Sequence, residues 1–250
     1  MTGTIYFIGT HIGNEDDMSK RTIKMLKSAK NIVVENKILF EGLTKNLHIK
    51  IDKKNIVEFD TLSGYSPEKE KEINQWALKL LKENQDVYVV ADDGMPGIAD
   101  PGEALARECI KNNINISATP GPSCIVAAAV ISGCGHNFSF EAFLPTNKTE
   151  WKDFLQQKHK NKAPMIIVLR NEIKGMLLTE TEDFLAEIEN LWGDTRATLL
   201  YNLTTSKEKT IRGYTSVLRK YHMENKALGD TVMMVLDPTN ERLAVNTDIA

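Results

Sequence analysis

The sequence predicts an α/β protein of two α/β domains with mostly parallel sheets. Short apolar runs rich in β-branched residues alternate with longer segments whose apolar residues recur at helical spacing. Loops rich in glycine and proline follow several of the short runs, as is typical of the carboxyl ends of parallel strands. With 250 residues, 42% of them hydrophobic, the chain is long enough for one large core or two smaller ones.

The first half predicts four strands separated by helices. Residues 4–9, "TIYFIG", read as a short buried strand that ends in glycine, and Ser19 caps the helix that follows. A later helix begins at Ser66, with Pro67 in its first position and acidic residues in its first turn. The predicted strands are 4–9, 31–36, 86–92 and 114–119, and the predicted helices are 19–30, 66–85 and 103–113.

The second half repeats the alternation after a Pro/Gly turn at residues 119–123, which is the predicted domain boundary. The expected domains are therefore 1–120 and 121–250. The polar tail after Pro238 is expected to be frayed. The predicted helices here are 124–133, 148–160 and 179–193, and the predicted strands are 138–145, 164–170, 197–204 and 230–237.

Composition excludes some classes of protein. There are 31 basic and 34 acidic residues, so no overall excess of positive charge indicates a nucleic-acid or anionic-membrane partner. The three cysteines, Cys109, Cys124 and Cys134, are odd in number and lack framework spacing, which favours a reducing compartment. No apolar run reaches the roughly 18 residues of a membrane span, and no signal-peptide pattern is present. We therefore expect a cytoplasmic protein.

Loops of unusual composition follow three of the predicted strands: "GTHIGNEDD", "DDGMPGIADPG" and "TPGPS". Glycines let a backbone approach a ligand closely, and exposed N–H groups can bind it directly. Any one of these loops could be an ordinary turn. Because all three are expected at the same edge of a parallel sheet, together they predict a ligand pocket.

The motifs of common cofactor and metal sites are absent or weak. No G-x-G-x-x-G follows the first strand, and no G-x-x-x-x-G-K-[ST] occurs anywhere, so a phosphate cradle is unsupported. His11 with the acidic residues 15–17 could hold a metal. The favoured interpretation is that these acidic residues are exposed to solvent at the start of a helix, where the helix dipole stabilises negative charge. Cys124, Cys134 and His136 could form a zinc site, but buried structural thiols are favoured. We predict no metal.

Five segments carry a resemblance to a known family: "IGTHIGN", "DDGMPGIADPG", "TPGPSCIVAAAVISG", "FSFEAFLPTNK", and "YNLTTSKEKTIRGYTSVL" followed by "LGDTVMMVLD". The chain resembles the tetrapyrrole methylase superfamily of S-adenosyl-L-methionine (SAM) methyltransferases. Within it, the chain is most similar to the RsmI-type group, which methylates a cytidine ribose 2′-oxygen in small-subunit ribosomal RNA. The resemblance implies the tetrapyrrole methylase fold, with two α/β domains, a SAM cleft between them, and a homodimer.

The resemblance also implies which residues bind the cofactor, in the turn after the third strand, after the second proline-rich turn and in the C-terminal domain. One of Asp92, Asp93 and Asp100 is expected to hold the ribose or amino group of SAM, while helix capping and solvated turns account for at least one other. The implied SAM-binding residues are Gly94, Met95, Pro96, Ile98, Ala99, Ser123, Cys124, Leu203 and Thr204.

The departures from the family lie mainly on the expected substrate side. The family's "AEDTR" segment is "VENKI" here, which keeps Glu35 and loses the arginine. Residues 169–175 replace a Tyr-Glu-Ser-Pro-His stretch, Met95 replaces a threonine or aspartate, and His11 replaces a proline. The chain also stops near Ala250, before the extra C-terminal helical segment of many such enzymes.

Three functions remain open from the sequence. The leading one is SAM-dependent methylation of ribosomal RNA, with Glu35 or His11 as a candidate base for a ribose hydroxyl, although both could be structural. A methylase of a tetrapyrrole, a corrinoid or a peptide is the second. The third is a catalytically silent relative that binds SAM. RNA binding predicts that basic residues gather locally, although a solvated helix face is the commoner meaning of such residues: Lys148, Lys152, Lys158, Lys160, Lys162, Lys207, Lys209 and Arg212.

Overall fold

A computed structural model describes residues 2–51, 55–59, 66–135, 137–170, 172–173, 176–177, 180–225 and 231–245. Contacts within the chain form two compact units, Met1–Ser123 and Cys124–Ala250. His136 and parts of the 169–175 segment lie outside the described residues. None of the helices among the described residues is both long and apolar enough to cross a membrane.

The first unit is a five-stranded, fully parallel sheet with helices between its strands. The strand order is β3-β2-β4-β1-β5, so β1 and β4 lie at the centre. The elements are β1 (Thr4–Ile8), α1 (Lys20–Ser28), β2 (Ile32–Val34), α2 (Lys37–Asn46), β3 (Ile56–Glu58), α3 (Pro67–Lys82), β4 (Val87–Val90), α4 (Glu103–Lys111) and β5 (Asn115–Thr119).

Both faces of the central strands are buried, as expected for a parallel sheet covered by helices. Along β1, Ile5 and Phe7 belong to one apolar cluster, while Ile8 belongs to the cluster on the other face. The two helix starts predicted from their caps are confirmed. The side chain of Ser19 accepts a hydrogen bond from the backbone of α1, and that of Ser66 accepts one from the backbone of α3.

Two elements of this unit were not predicted: α2 and β3. The side chain of Asn36 caps α2 by accepting from the backbone N–H of Leu39. Asn36 was assigned to the end of the preceding strand, but β2 ends at Val34 and the chain turns directly into a helix. α2 brings a helix start within two residues of the carboxyl end of β2.

The second unit contains a five-stranded sheet of order β11-β10-β12-β7-β6 and a small β8-β9 pair. Lys148–Glu150 form a short 3-10 turn, so the helix predicted from residue 148 begins at Trp151. The elements are α5 (Cys124–Ser132), β6 (Ser139–Phe143), α6 (Trp151–Asn161), β7 (Met165–Arg170), β8 (Glu172–Ile173), β9 (Met176–Leu177), α7 (Glu180–Trp192), β10 (Arg196–Tyr201), β11 (Lys209–Tyr214), α8 (Thr215–Glu224) and β12 (Thr231–Leu236).

The α/β fold class is confirmed, but the second sheet is mostly antiparallel: within it only β6 and β7 pair in parallel. The cause is one hairpin. β11 follows β10 after a short loop and must run back beside it, as antiparallel partners joined by a short connection do. β12 then returns after α8 in the direction of β11 and inserts between β7 and β10, so it is antiparallel to both.

The expectation of a frayed tail after Pro238 is wrong for the described part of that tail. Leu243 is 1% exposed. The buried carboxylate of Asp237 accepts hydrogen bonds from the backbone N–H groups of Arg242 at 2.6 Å and Leu243 at 3.0 Å. It also accepts from the backbone and hydroxyl of Thr239. The polar composition of this segment suggested fraying because it did not reveal that the carboxylate of Asp237 binds the backbone of the residues that follow it.

Candidate functional site

Three loops of the first unit meet at the carboxyl edge of its parallel sheet. A Cβ atom on Gly9, after β1, would lie 2.6 Å from the Sδ atom of Met95 and 2.7 Å from the Cα atom of Gly121. A Cβ on Gly121 would likewise lie 2.7 Å from the Cα of Gly9. Distances this short are excluded, so glycine at both positions permits the loops after β1, β4 and β5 to touch.

Backbone hydrogen bonds hold the turn after β4 against the loop after β1. The N–H of Thr10 donates to the carbonyl of Gly94 at 2.8 Å, and the N–H of Gly94 donates to the carbonyl of His11 at 2.8 Å. Gly94 has φ +74°, and a Cβ there would lie 3.2 Å from Ile12 and 3.4 Å from the carbonyl of Pro122. The sequence-predicted cofactor turn is therefore fixed on both sides, and its conformation favours glycine.

In the rest of this turn the first residues are buried or half-buried and the later ones are exposed. Pro96 is buried and Met95 is half-buried, with its sulfur above Gly9. Ile98 is 53% exposed, and Ala99 is exposed with φ +63°. A left-handed alanine is strained, and such strain clusters at ligand sites. An exposed isoleucine beside a strained alanine suits residues that pack on a ligand.

The other predicted cofactor residues lie at the start of α5 and after β10. Ser123 is the last residue of the first unit, and Cys124 begins α5. Cys124 packs on the apolar cluster that contains Leu203. Thr204 has φ +63°, and its buried hydroxyl has no hydrogen-bond partner among the described residues. Since buried hydroxyl groups are nearly always hydrogen-bonded, Thr204 fits a ligand that supplies the partner.

Where β2 and β4 end, the carboxylates of Glu35 and Asp92 each accept a hydrogen bond from the backbone of the neighbouring segment. The N–H of Asp92 donates to Oε2 of Glu35 at 3.2 Å, and the N–H of Asn36 donates to Oδ1 of Asp92 at 3.1 Å. Burial raises the pKa of Asp92 to about 7, and the charge of Glu35 adds to the rise. Burial, followed by the charge of Glu35, also raises the pKa of Asp100 to about 7.

The sequence predicted that one of Asp92, Asp93 and Asp100 caps a helix, but none of them caps α4. The cap residue there is Gly102, and no side chain caps that helix. Asp92 instead accepts a hydrogen bond beside the start of α2. These contacts tie the loop after β4 to the segment after β2, and they place a group that titrates near neutral pH at the edge of the sheet.

The ring of His11 is oriented by its own loop. Its Nδ1 atom accepts a hydrogen bond from the N–H of Gly13 at 3.1 Å. A neutral imidazole that accepts at Nδ1 carries its proton on Nε2. In this tautomer the Nε2–H group of His11 is a hydrogen-bond donor.

A pocket of about 350 Å³ lies between α2 and the loops after β1 and β4. We call it the α2 pocket. His11 and Asp92 line it, together with Ile38 and Leu39 from the first turn of α2. Sequence reasoning missed it because α2 was not predicted, although a helix-capping asparagine followed one residue later by the apolar run Ile38–Phe40 was a visible signal.

The predicted basic residues divide into two groups. Lys148 pairs with Asp183, Lys158 pairs with Glu141, and Arg212 donates to a backbone carbonyl at the end of α5. Those three are occupied within the second unit. Lys148 is nevertheless exposed, and so are the remaining five residues, of which Lys209 lies over the ring of Tyr221: Lys152, Lys160, Lys162, Lys207 and Lys209.

No group of three or more histidine, cysteine, aspartate or glutamate side chains among the described residues is arranged to hold a metal ion. Cys109 and Cys134 are buried thiols, and Cys124 is partly buried.

Comparison with known proteins gives a consistent family. Residues 4–218 match the family described as Tetrapyrrole (Corrin/Porphyrin) Methylases. The chain is 31% identical to a Thermotoga maritima protein named ribosomal RNA small subunit methyltransferase I, over 93% of this chain and 98% of the relative. It is 29% identical to a protein of the same name from a Hydrogenobaculum species, over 92% of this chain and 94% of the relative.

Solved structures share the fold. Uroporphyrin-III-C-methyltransferase from Thermus thermophilus superimposes with a TM-score of 0.60 at 15% identity, over 99% of both chains. A diphthine synthase superimposes with a TM-score of 0.64 at 15% identity, over 94% of this chain and 90% of the other. At this identity the likeness establishes the fold alone.

Proposed function

This chain belongs to the tetrapyrrole methylase family, and we propose that it is a SAM-dependent methyltransferase of small-subunit ribosomal RNA that acts on a ribose 2′-oxygen. The observation that carries the proposal is the site at the carboxyl edge of the first sheet, where Gly9, Gly94 and Gly121 let three loops converge. The choice of acceptor rests on the names of the relatives that match nearly the whole chain.

The proposed cofactor residues fit the chemistry of SAM. SAM supplies an electrophilic methyl group, so the protein chiefly binds and orients it. Exposed apolar Ile98 and strained Ala99 offer packing surface, and the buried hydroxyl of Thr204 offers a hydrogen bond. The complete proposed set is Gly94, Met95, Pro96, Ile98, Ala99, Ser123, Cys124, Leu203 and Thr204.

Removal of the hydroxyl proton is assigned to Glu35, with His11 in support. Because Nδ1 of His11 accepts from Gly13, its Nε2–H is suited to donate a hydrogen bond to the acceptor. Glu35 is half-buried and held against the backbone of Asp92. We expect Glu35→Gln to lower kcat by about 10²- to 10⁴-fold, the usual contribution of a general base, with SAM affinity unchanged.

The deciding experiment incubates the protein with methyl-labelled SAM and separate fractions from the organism that encodes it. The fractions are total RNA, small ribosomal subunits, proteins, and small molecules containing porphyrinoids and corrinoids. Label in ribosomal RNA at an alkali-resistant ribose supports the proposal. Label only in protein or a porphyrinoid overturns the acceptor and leaves the methyltransferase activity standing.

Calorimetry with SAM and with S-adenosylhomocysteine is the matching binding test. We expect one site per chain. Heat of binding without transfer to any fraction would indicate a catalytically silent relative, and the absence of heat with either ligand would overturn the proposal as a whole.

RNA binding should depend on salt through the exposed lysines. Lys160 and Lys162, at the end of α6, are proposed to contact phosphate, whereas Lys158 is paired with Glu141. Each phosphate contact removed from a single strand should reduce the slope of log affinity against log salt by about 0.7. The double variant Lys160→Gln with Lys162→Gln should show this loss, and Lys152→Gln on an earlier turn of α6 tests whether the contact is local.

We also propose that the protein is a cytoplasmic homodimer, as the family resemblance implies. Light scattering at micromolar concentration should give about twice the chain mass of 28.1 kDa. A mass equal to one chain would refute the dimer.

A further inference from the structure

The α2 pocket is separate from the proposed cofactor turn and has dimensions suited to a small ligand. Its volume of about 350 Å³ lies within the range of roughly 300–1,000 Å³ that is usual for small-molecule sites. One wall is α2, and the opposite wall is formed by the end of β4 and the loop after β1. Helix and loop therefore enclose a space beside Asp92.

The floor of the pocket is apolar and rigid. Phe40 is 4% exposed, Leu43 is 8% exposed and Val90 is 2% exposed, and all three belong to the core cluster on this face of the sheet. An apolar floor of this kind offers a packing surface for a planar ring, as the apolar walls of small-molecule sites do.

The rim of the pocket accepts hydrogen bonds. Asp92, Asp93 and Glu15 each contribute carboxylate oxygens, which only accept when they are ionised. The side-chain amide of Asn46 is already turned to Glu15, to which it donates at 2.7 Å. The carboxylates repel phosphate and attract N–H groups, so they favour entry of a base over entry of a phosphate, and His11 adds a donor to the lining.

Apolar residues stand at the mouth of the pocket. Ile38 is 78% exposed and Leu39 is 51% exposed, and both lie in the first turn of α2. Exposed aliphatic side chains of this kind pack between bases in other nucleic-acid sites, where they separate one base from its neighbour.

We propose that the α2 pocket holds one unstacked base of the acceptor RNA, and that Asp92 selects a base with an exocyclic amino group. The proposal rests on the proposed RNA methyltransferase function. Its basis is charge complementarity: cytosine, adenine and guanine present an amino donor to a carboxylate, whereas uracil presents none. The N–H of Asn36 donates to Oδ1 of Asp92 and so orients the carboxylate for this contact. The N–H of Asp92 donates to Glu35, which holds the backbone of Asp92 in place.

The pH near which Asp92 titrates supports this role. Burial and the charge of Glu35 raise its pKa to about 7, with smaller effects of Asp93 and Glu58, and the backbone N–H of Asn36 opposes the rise. An amino group that donates to the carboxylate stabilises its ionised form. RNA binding should therefore lower the pKa of Asp92, and affinity should rise between pH 6 and pH 8.

The test uses the full chain and a short single-stranded RNA that carries the labelled nucleotide found by mapping. A second RNA is identical except that the base of that nucleotide lacks its amino group. We expect kcat/KM to fall about 5- to 100-fold for the second RNA, the range of discrimination that one well-placed base contact provides. Asp92→Asn, which keeps an oxygen for Asn36, should abolish most of that discrimination.

Ile38→Asp should raise KM for the RNA at least fivefold and leave SAM affinity unchanged. The matched control is Ile110→Asp on α4, where the isoleucine is also exposed, at 66%, and is remote from the pocket lining. It should change neither quantity.

Three results would overturn the inference: a uridine at the mapped position, equal kcat/KM for the two RNAs, or a wild-type KM in Ile38→Asp. If Asp92→Asn weakens SAM binding and keeps the base discrimination, Asp92 belongs to the cofactor and the inference is also wrong. The proposed RNA methyltransferase function would be overturned by a different result: wild-type protein that binds no SAM or that transfers no label to RNA.

Discussion

Replacing Gly9 by alanine should destabilise the first unit, while the same change at Gly42 should stabilise it. At Gly9 the new Cβ would meet the sulfur of Met95 at 2.6 Å and the Cα and N of Gly121 at 2.7 Å. Two of these atoms are backbone, so the strand ends must separate. Overpacking lowers the free energy of unfolding by about 1–3 kcal/mol. Because backbone atoms cannot move aside as a side chain can, we expect Gly9→Ala to cost roughly 3 kcal/mol, the upper end of this range.

At Gly42, within α2, no atom of the described residues lies within 4 Å of the new Cβ, apart from the adjacent residues and the backbone of the helix itself. Alanine in a helix is favoured over glycine by about 1 kcal/mol. The free energies of unfolding of the two variants should therefore differ by roughly 4 kcal/mol, with the wild type between them.

Urea unfolding followed by circular dichroism measures the difference, and amide exchange of peptides from β1 and β5 assigns it to the first unit. In Gly9→Ala the exchange of these strands should accelerate, since the contact between their ends is lost. The reasoning is refuted if Gly9→Ala unfolds at the wild-type urea concentration, or if Gly42→Ala unfolds at a lower one.

Three further predictions concern binding, stability and pH. Gly94→Val should weaken SAM binding at least tenfold in calorimetry, because a β-branched residue at φ +74° is strained; equal affinity would mean that the turn does not contact the cofactor. Asp237→Ala should lower the free energy of unfolding by about 3 kcal/mol, since buried backbone N–H groups lose their acceptor, and an unchanged urea midpoint would contradict this. The pKa of Asp92 and of Asp100 is about 7 when folded against 3.8 when unfolded, so the folded state binds protons more tightly and its stability falls as pH rises from about 4 to 7. The shift corresponds to ~4 kcal/mol for one such group and ~1–2 kcal/mol after solvent screening. The difference in free energy of unfolding between wild type and the Asp92→Asn, Asp100→Asn double variant should therefore fall by ~1–2 kcal/mol per group between pH 4 and pH 7; a constant difference would refute it.

Much of the fold could be predicted because local signals agreed with the final structure. Ser19 and Ser66 mark real helix starts, and the buried β-branched runs became strands. β11 was missed because its outward-facing residues are polar, although Ile211 is 7% exposed on the inner side. The direction of the second sheet could not be predicted, since it depends on where β12 inserts, and that is decided by packing after the hairpin forms.

The candidate site was predictable in part for the same reason. Glycine and proline in the loops after β1, β4 and β5 are local signals, and these loops do converge. The link between Glu35 and Asp92 joins residues 57 positions apart, and no local pattern specifies it. The α2 pocket likewise requires a helix, a strand end and a loop to meet, so only the folded chain reveals it.

The position of β1 at the centre of the first sheet affects how the protein is made. Among the described strands, β1 pairs with β4, which ends at Val90, and with β5, which ends at Thr119, so both partners are synthesised after it. At about 5–20 residues per second, the interval between synthesis of β1 and of Thr119 is roughly 6–24 s. One edge of β1 therefore lacks its partner strand until β4 is made, and the other edge lacks its partner until β5 is made. While these edges are unpaired the nascent chain should bind chaperones through β1, and slowing translation between β1 and β5 should lower the yield of folded protein.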